Sequence, residues 1–207
     1  MLRTCLLVAV IAFVGCNRQP KNLEPAPLDA AFAASQAMET LDADQDGQIG
    51  KSELKASPGL QAALRKTDTN GDGALTEQEI AERLQHLVDS KAALRNFQLS
   101  ITLNRQPAPG LSVTLIPEQF LTPAIEPAVG DTNHLGIAYP TVEFEDPAIV
   151  KQGIAGVRPG MYRVSVSKLN ADGKETIPSR YNTDTQLGVN VDMDDHAMPP
   201  TLNISVR

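Results

Sequence analysis

DADQDGQIGKSE (42–53) and DTNGDGALTEQE (68–79) are one twelve-residue pattern written twice. In the first copy Asp42, Asp44 and Asp46 stand at positions 1, 3 and 5, and Glu53 closes the stretch at position 12. The second copy puts Asp68, Asn70, Asp72 and Glu79 at the same positions. A hard divalent cation takes about six or seven oxygens at about 2.3–2.6 Å, and alternate residues of a tightly curled segment aim their oxygens inward. The spacing therefore reads as a coordination list. Gly47 and Gly73, at position 6, supply the positive φ of a sharp bend that a Cβ resists. Position 7 contributes only its backbone carbonyl, so Gln48 and Ala74 are free to differ as side chains.

The flanks carry helical periodicity. Ala34, Met38 and Leu41 precede the first copy at helical spacing, and Leu60, Leu64 and Thr67 precede the second. Ile80, Leu84, Leu87 and Val88 predict a helix running on to about Leu94, and Thr76 with Glu79 reads as the capping box that starts it. Ser57 and Pro58 suit an N-cap and a first helical position. Ile49 and Leu75 at position 8 fit a short β contact between paired loops. Residue by residue, both loops resemble the EF-hand family. The resemblance implies two Ca²⁺ ions. One would be held by Asp42, Asp44, Asp46, the Gln48 carbonyl and Glu53, and the other by Asp68, Asn70, Asp72, the Ala74 carbonyl and Glu79. Gly50 leaves position 9 of the first site to a water, whereas Thr76 can reach through its hydroxyl or a water. Residues 54–67 must hold a helix out, a turn and a helix in, so the first exit helix is expected to span about two turns. Such compactness favours a stabilising or buffering pair over one that opens a groove for a target.

Net charge is −7, with acids exceeding bases by 11 to 7 over 38–95 and by 12 to 8 from 97 onward, which argues against a nucleic-acid partner. The start, MLRTCLLVAVIAFVGC, has Arg3 before an apolar run at 6–14. That run is too short for a bilayer span of about 20 residues and has the proportions of a secretory leader. Phe13-Val14-Gly15-Cys16 resembles the lipobox of bacterial lipoproteins, which implies lipid on Cys16 and an exported, membrane-anchored protein of the cell envelope. An ordinary leader cut nearby, or a short anchor, is the alternative. Asn17 resembles the residue following the cysteine in outer-membrane-sorted lipoproteins. Residues 17–27 form a polar, proline-rich linker, and two cysteines so placed leave no disulfide framework.

From residue 96 the pattern changes to alternation. FQLSITLN (97–104) and LSVTLIPE (111–118), joined by QPAPG, read as a strand pair, with further strands expected at 136–139, 161–169, 187–192 and 202–207. Pro123 and Pro127 make 120–129 a loop or short helical turn. PAPGLSVTLIPE, the 132–138 turn, the Pro159-Gly160-Met161-Tyr162 step and IPSRYNTDTQLGVNV resemble the carboxypeptidase regulatory-like and transthyretin-like sandwich domains of bacterial surface proteins. Gly136 and Gly160 are expected to permit turns and Tyr162 to be core. The expected architecture is multidomain α + β. It comprises a signal peptide with lipobox (1–16), a linker (17–27), a compact helical EF-hand pair (28–95) and an antiparallel Ig-like or transthyretin-like β-sandwich (96–207).

G-x-S-x-G, H-E-x-x-H, P-loop and G-x-G-x-x-G patterns are absent from the sequence. His86 is expected on an exposed helix face and His134 in a turn. His196 follows Asp192, Asp194 and Asp195, which read as a loop of solvated acids because no returning ligand stands at a metal-site spacing. With no Trp, a sugar-stacking platform would need Tyr139, Tyr162 or Tyr181. The reading is a non-catalytic calcium-binding lipoprotein, touching the membrane through Cys16, whose sandwich has a structural or protein-interaction role at the envelope. Calcium would set the angle between the halves through the helix that starts at Thr76. The alternatives are an adhesion or polymer-binding module in which calcium only stabilises, or an accessory subunit of an envelope enzyme.

Overall fold

The computed structural model describes residues 23–193 and 200–205. The leader, Cys16, most of the linker, and Asp194, Asp195 and His196 lie outside the described residues.

Helix α1 (Ala30–Leu41) begins where the Asp29 carboxylate accepts the Phe32 N–H at 3.0 Å. Alanine is the strongest helix former, and Ala30, Ala33, Ala34, Ala37 and Leu41 make a narrow buried stripe. That stripe packs on α3 (Glu77–Asp89), whose Ile80, Leu84 and Leu87 are buried in return. Between these helices lie strand β1 (Gln48–Ile49), a 3₁₀ turn (Leu54–Ala56), helix α2 (Pro58–Thr67) and strand β2 (Leu75–Thr76).

Two expectations for this region need correction. The first exit helix is a single three-residue 3₁₀ turn rather than two turns. Pro58 disfavours a helical conformation at the residue before it, and Ser57 accordingly sits at φ −130°, ψ 80° without a side-chain cap bond. Helix α3 stops at Asp89, short of Leu94, because Lys91 takes φ 52° and turns the chain away.

Among the described residues, the β-rich remainder has two sheets. One is antiparallel, in the order β10 (Gly188–Val191), β9 (Gly160–Ser167), β5 (Ser112–Pro117), β6 (Ala128–Asp131), β8 (Thr141–Val142). The other runs β11 (Thr201–Ile204), β3 (Leu99–Leu103), β4 (Gln106–Pro107), with β7 (Ile137–Ala138) also pairing β3. A four-residue helix, α4 (Pro147–Val150), follows β8. Alternation is cleanest in β5, where Val113, Leu115 and Pro117 are buried, and in β9, where Val164 and Val166 are.

The two stretches expected to pair with each other, 97–104 and 111–118, fall in different sheets, so QPAPG carries the chain between sheets. The second sheet is mixed, since β11 runs parallel to β3 in the register Leu202↔Ile101. Strand β3 ends at Leu103 and β11 begins at Thr201, so no hairpin turn joins them to impose antiparallel pairing. Strands β4, β6 and β8 were not anticipated: each is two to four residues long, and Pro107 and Gly130 interrupt the β signal. The 120–129 segment begins in a 3₁₀ turn, Gln119–Leu121, as expected, but its end enters strand β6 at Ala128. Gly136 turns at φ 72°, but Gly160 opens β9, where a Cβ would come within 2.8 Å of Ile125 Cδ1.

Helices and sheets share one hydrophobic core. Leu41, Leu60 and Leu84 belong to the same buried cluster as Leu99, Val113, Tyr162 and Val189. The two regions meet chiefly through α2, which lies on β9 and β10, while the helix that starts at Thr76 reaches the β region through the Arg83–Asp192 ion pair. Contact is at backbone distance. A Cβ on Gly188 would stand 1.9 Å from the Pro58 carbonyl oxygen, and one on Gly59 would stand 2.6 Å from the Tyr162 nitrogen. Both ends of α2 are held by carboxylates from the β region. Glu118 accepts the Gly59 N–H at 2.7 Å, and Asp192 accepts Lys66 Nζ at 2.9 Å.

Candidate metal centre

Each acidic loop leaves the end of a helix, α1 at Asp42 and α2 at Asp68, and curls back through left-handed residues. Gly47 and Gly73 have φ of 87° and 84°, and nothing lies within 4 Å of where their Cβ atoms would be, so glycine is required by the backbone and not by crowding. Position 4 is left-handed too, at Gln45 (φ 59°) and Gly71 (φ 76°). The glycine in the second copy was the one sequence signal of this second bend.

Main-chain N–H groups turn the side chains inward, with closely similar wiring in both loops. Asp42 Oδ2 accepts the Gly47 N–H at 3.0 Å, and Asp68 Oδ2 accepts the Gly73 N–H at 2.9 Å. The position 3 oxygens accept from position 5, Asp44 from Asp46 at 3.3 Å and Asn70 from Asp72 at 2.8 Å. The position 5 oxygens accept from position 7, Asp46 from Gln48 and Asp72 from Ala74, each at 2.9 Å. The loops then touch through β1 and β2, in the register Gln48↔Thr76 and Ile49↔Leu75, with both apolar residues fully buried.

Asp42, Asp44 and Asp46 each bring a carboxylate oxygen within 4.8 Å of the others. Oxygens bound to one calcium ion are separated by at most about twice the 2.3–2.6 Å bond length, so this trio fits a shared hard cation. In the second loop Asp68, the Asn70 amide and Asp72 occupy the corresponding positions.

The position 12 glutamates do something the coordination list alone does not show. Glu53 Oε1 accepts the Ala43 N–H at 2.7 Å while its Oε2 accepts the Gly50 N–H at 2.7 Å, so it ties the start of its loop to the end and is not one of the three clustered acids. Glu79 makes the same tie, Oε1 to the Thr69 N–H at 3.1 Å and Oε2 to the Thr76 N–H at 3.0 Å, and completes the expected capping box of α3. The N–H groups of Gly50 and Ala43 hold the Glu53 carboxyl below the usual carboxylate range. Burial works against this at Glu79, but the Thr76 N–H and hydroxyl, with the N–H groups of Thr69 and Asn70, still hold it low.

Asp192 departs from its reading as a solvated acid. It is 1 % exposed and takes both Lys66 and Arg83 on Oδ2. His86 is exposed on α3, and His134 is exposed in the turn before β7. Tyr162 is core and donates to the Arg158 carbonyl at 2.7 Å, and the Arg180 guanidinium lies 4.9 Å over the Tyr181 ring. Tyr139 is 50 % exposed.

Two acidic loops, joined by a short β contact, thus turn their side-chain oxygens inward by closely similar hydrogen bonds. The family model described as EF hand matches residues 36–56 and 60–84, one match over each loop. No curated protein and no solved structure gives a significant match. The match points to calcium binding, and Asp42, Asp44 and Asp46 can hold a metal.

Proposed function

We propose that the chain is an exported calcium-binding lipoprotein that takes two Ca²⁺ ions and performs no chemistry of its own. The carrying observation is that both loops turn their oxygens inward through closely similar hydrogen bonds, under two EF-hand matches. The ligands are Asp42, Asp44, Asp46, the Gln48 carbonyl and Glu53 in one loop, and Asp68, Asn70, Asp72, the Ala74 carbonyl and Glu79 in the other. Calcium would draw the two glutamates from their own N–H groups toward the ion and neutralise the clustered carboxylates, so binding favours the folded chain. The single 3₁₀ turn after the first loop supports a stabilising pair over a groove-opening sensor, because it leaves no long exit helix to swing.

The β region is read as a transthyretin-like sandwich with a structural or protein-contact role at the cell envelope. This is supported by two sheets that contribute to one core and by motifs such as Pro159-Gly160-Met161-Tyr162. Lipid on Cys16 is the proposed anchor. Titration calorimetry with Ca²⁺ on the chain from residue 17 tests the calcium reading. Two bound ions are expected, and no heat together with no thermal shift at millimolar Ca²⁺ ends it. Mass spectrometry of the mature N-terminus tests the anchor.

A further inference from the structure

Two cations flank the second loop and have no counterpart at the first. Lys66 stands two residues before Asp68, and Arg83 stands four after Glu79; the equivalent positions around the first loop are Thr40 and Ser57. Lys66, Arg83 and Glu79 line one cavity of about 430 Å³, together with Thr69, Glu82 and His86. A carboxylate proposed to serve a metal ion thus shares an open cleft with an ammonium and a guanidinium. Arg83 is only 8 % exposed, and its Nε makes no hydrogen bond. A buried guanidinium with a donor to spare takes any carboxylate within reach, because an uncompensated buried charge is costly.

Asp192 meets both cations. It is the first residue after β10, it is buried, and its Oδ2 accepts Lys66 Nζ at 2.9 Å and an Arg83 guanidinium N–H. Meanwhile both Glu79 oxygens accept main-chain N–H groups of their own loop.

We propose that Asp192 is a positioning residue for the second cation site: from the end of the sheet it engages Lys66 and Arg83 and keeps them off Glu79, leaving that carboxylate to the metal. This rests on the calcium reading above. It also makes β10 a partner of calcium binding, since the same ion pairs fix α2 and α3 on either side of the second loop. Without Asp192, the two cations compete with Ca²⁺ for Glu79 and repel the ion. The first loop carries Lys51 and Lys55, both exposed and at other positions, and does not depend on Asp192.

The test reads each site alone by calorimetric Ca²⁺ titration of the chain, using Glu53→Gln to isolate the second site and Glu79→Gln to isolate the first. If neither parent shows binding, it is the calcium reading that fails. With binding present, Asp192→Asn is expected to weaken the second site by about tenfold, the scale on which partners just outside a coordination sphere act, and to leave the first unchanged. Adding Lys66→Met to Asp192→Asn should recover much of that affinity, which a merely structural aspartate would not allow. Equal losses at both sites, or no loss at the second, overturn the proposal. Should Asp192→Asn lose its native circular dichroism, Lys66→Met alone decides: with one competitor gone, second-site affinity holds or rises, and a tenfold loss overturns the idea.

Discussion

Glu118 is 1 % exposed at the seam between α2 and the sheet, its Oε1 on the Gly59 N–H and its Oε2 on Arg163 Nε at 3.0 Å. Burial pushes its carboxyl above the ordinary 4.5, and the Gly59 N–H and Arg163 only partly offset this. The folded chain therefore binds this proton more tightly than the unfolded chain. The stability that results is fully present below about pH 4.5 and is lost as pH rises through the folded value. Glu118→Gln keeps an acceptor for Gly59 but cannot ionise. It should flatten the fall in stability between pH 4.5 and neutrality in urea melts, and an unaltered slope would acquit Glu118. Gly188 acts through space, with no Cβ to hold α2 away from β10. Gly188→Ala drives a methyl into the Pro58 carbonyl and is expected to cost about 1–3 kcal/mol or more, measured by chemical denaturation. Neither role was legible in the sequence, where Glu118 ended one expected strand and Gly188 sat inside another, because each depends on a partner far along the chain.

Among the elements, the two loops were the most legible. Their oxygen spacing, the position 6 glycines and the Ile49–Leu75 contact all depend on residues within a dozen positions of one another or on a pair written twice. The capping box at Thr76 was likewise local, and it couples helix to loop because Glu79 belongs to both. Thr76→Ala should therefore weaken two properties together. It removes a cap worth about 1 kcal/mol and loosens Glu79, so thermal stability and second-site calcium affinity are expected to fall in the same variant. Denaturation and titration read the two separately, and a stability loss with unchanged affinity would uncouple them. Element ends were less legible. Helix α3 stops five residues short of Leu94 because Lys91 adopts a left-handed turn that no glycine announced.

For the whole molecule, the continuity of the core matters most. Leu60 on α2 and Val189 on β10 lie in one buried cluster, so the helical and β regions are expected to unfold in one transition. Far-UV circular dichroism of the helices and near-UV absorbance of buried Tyr162 should give coincident melts. Ca²⁺ at a hundredfold its Kd should shift both by about 2.7 kcal/mol per site. A β signal that ignores calcium would contradict this.

The sequence by itself determined the chemistry of the loops, the helices that flank them and the β character of the rest, because these follow from neighbours and short periods. Only the tertiary structure decided which sheet each strand joined, that β11 runs parallel to β3, and that α2 seats on β9 and β10. It alone turned Asp192 from an apparently solvated acid into the buried partner of Lys66 and Arg83. Those outcomes depend on which distant surfaces close on one another, and packing between residues more than a hundred positions apart leaves no periodic trace in the chain.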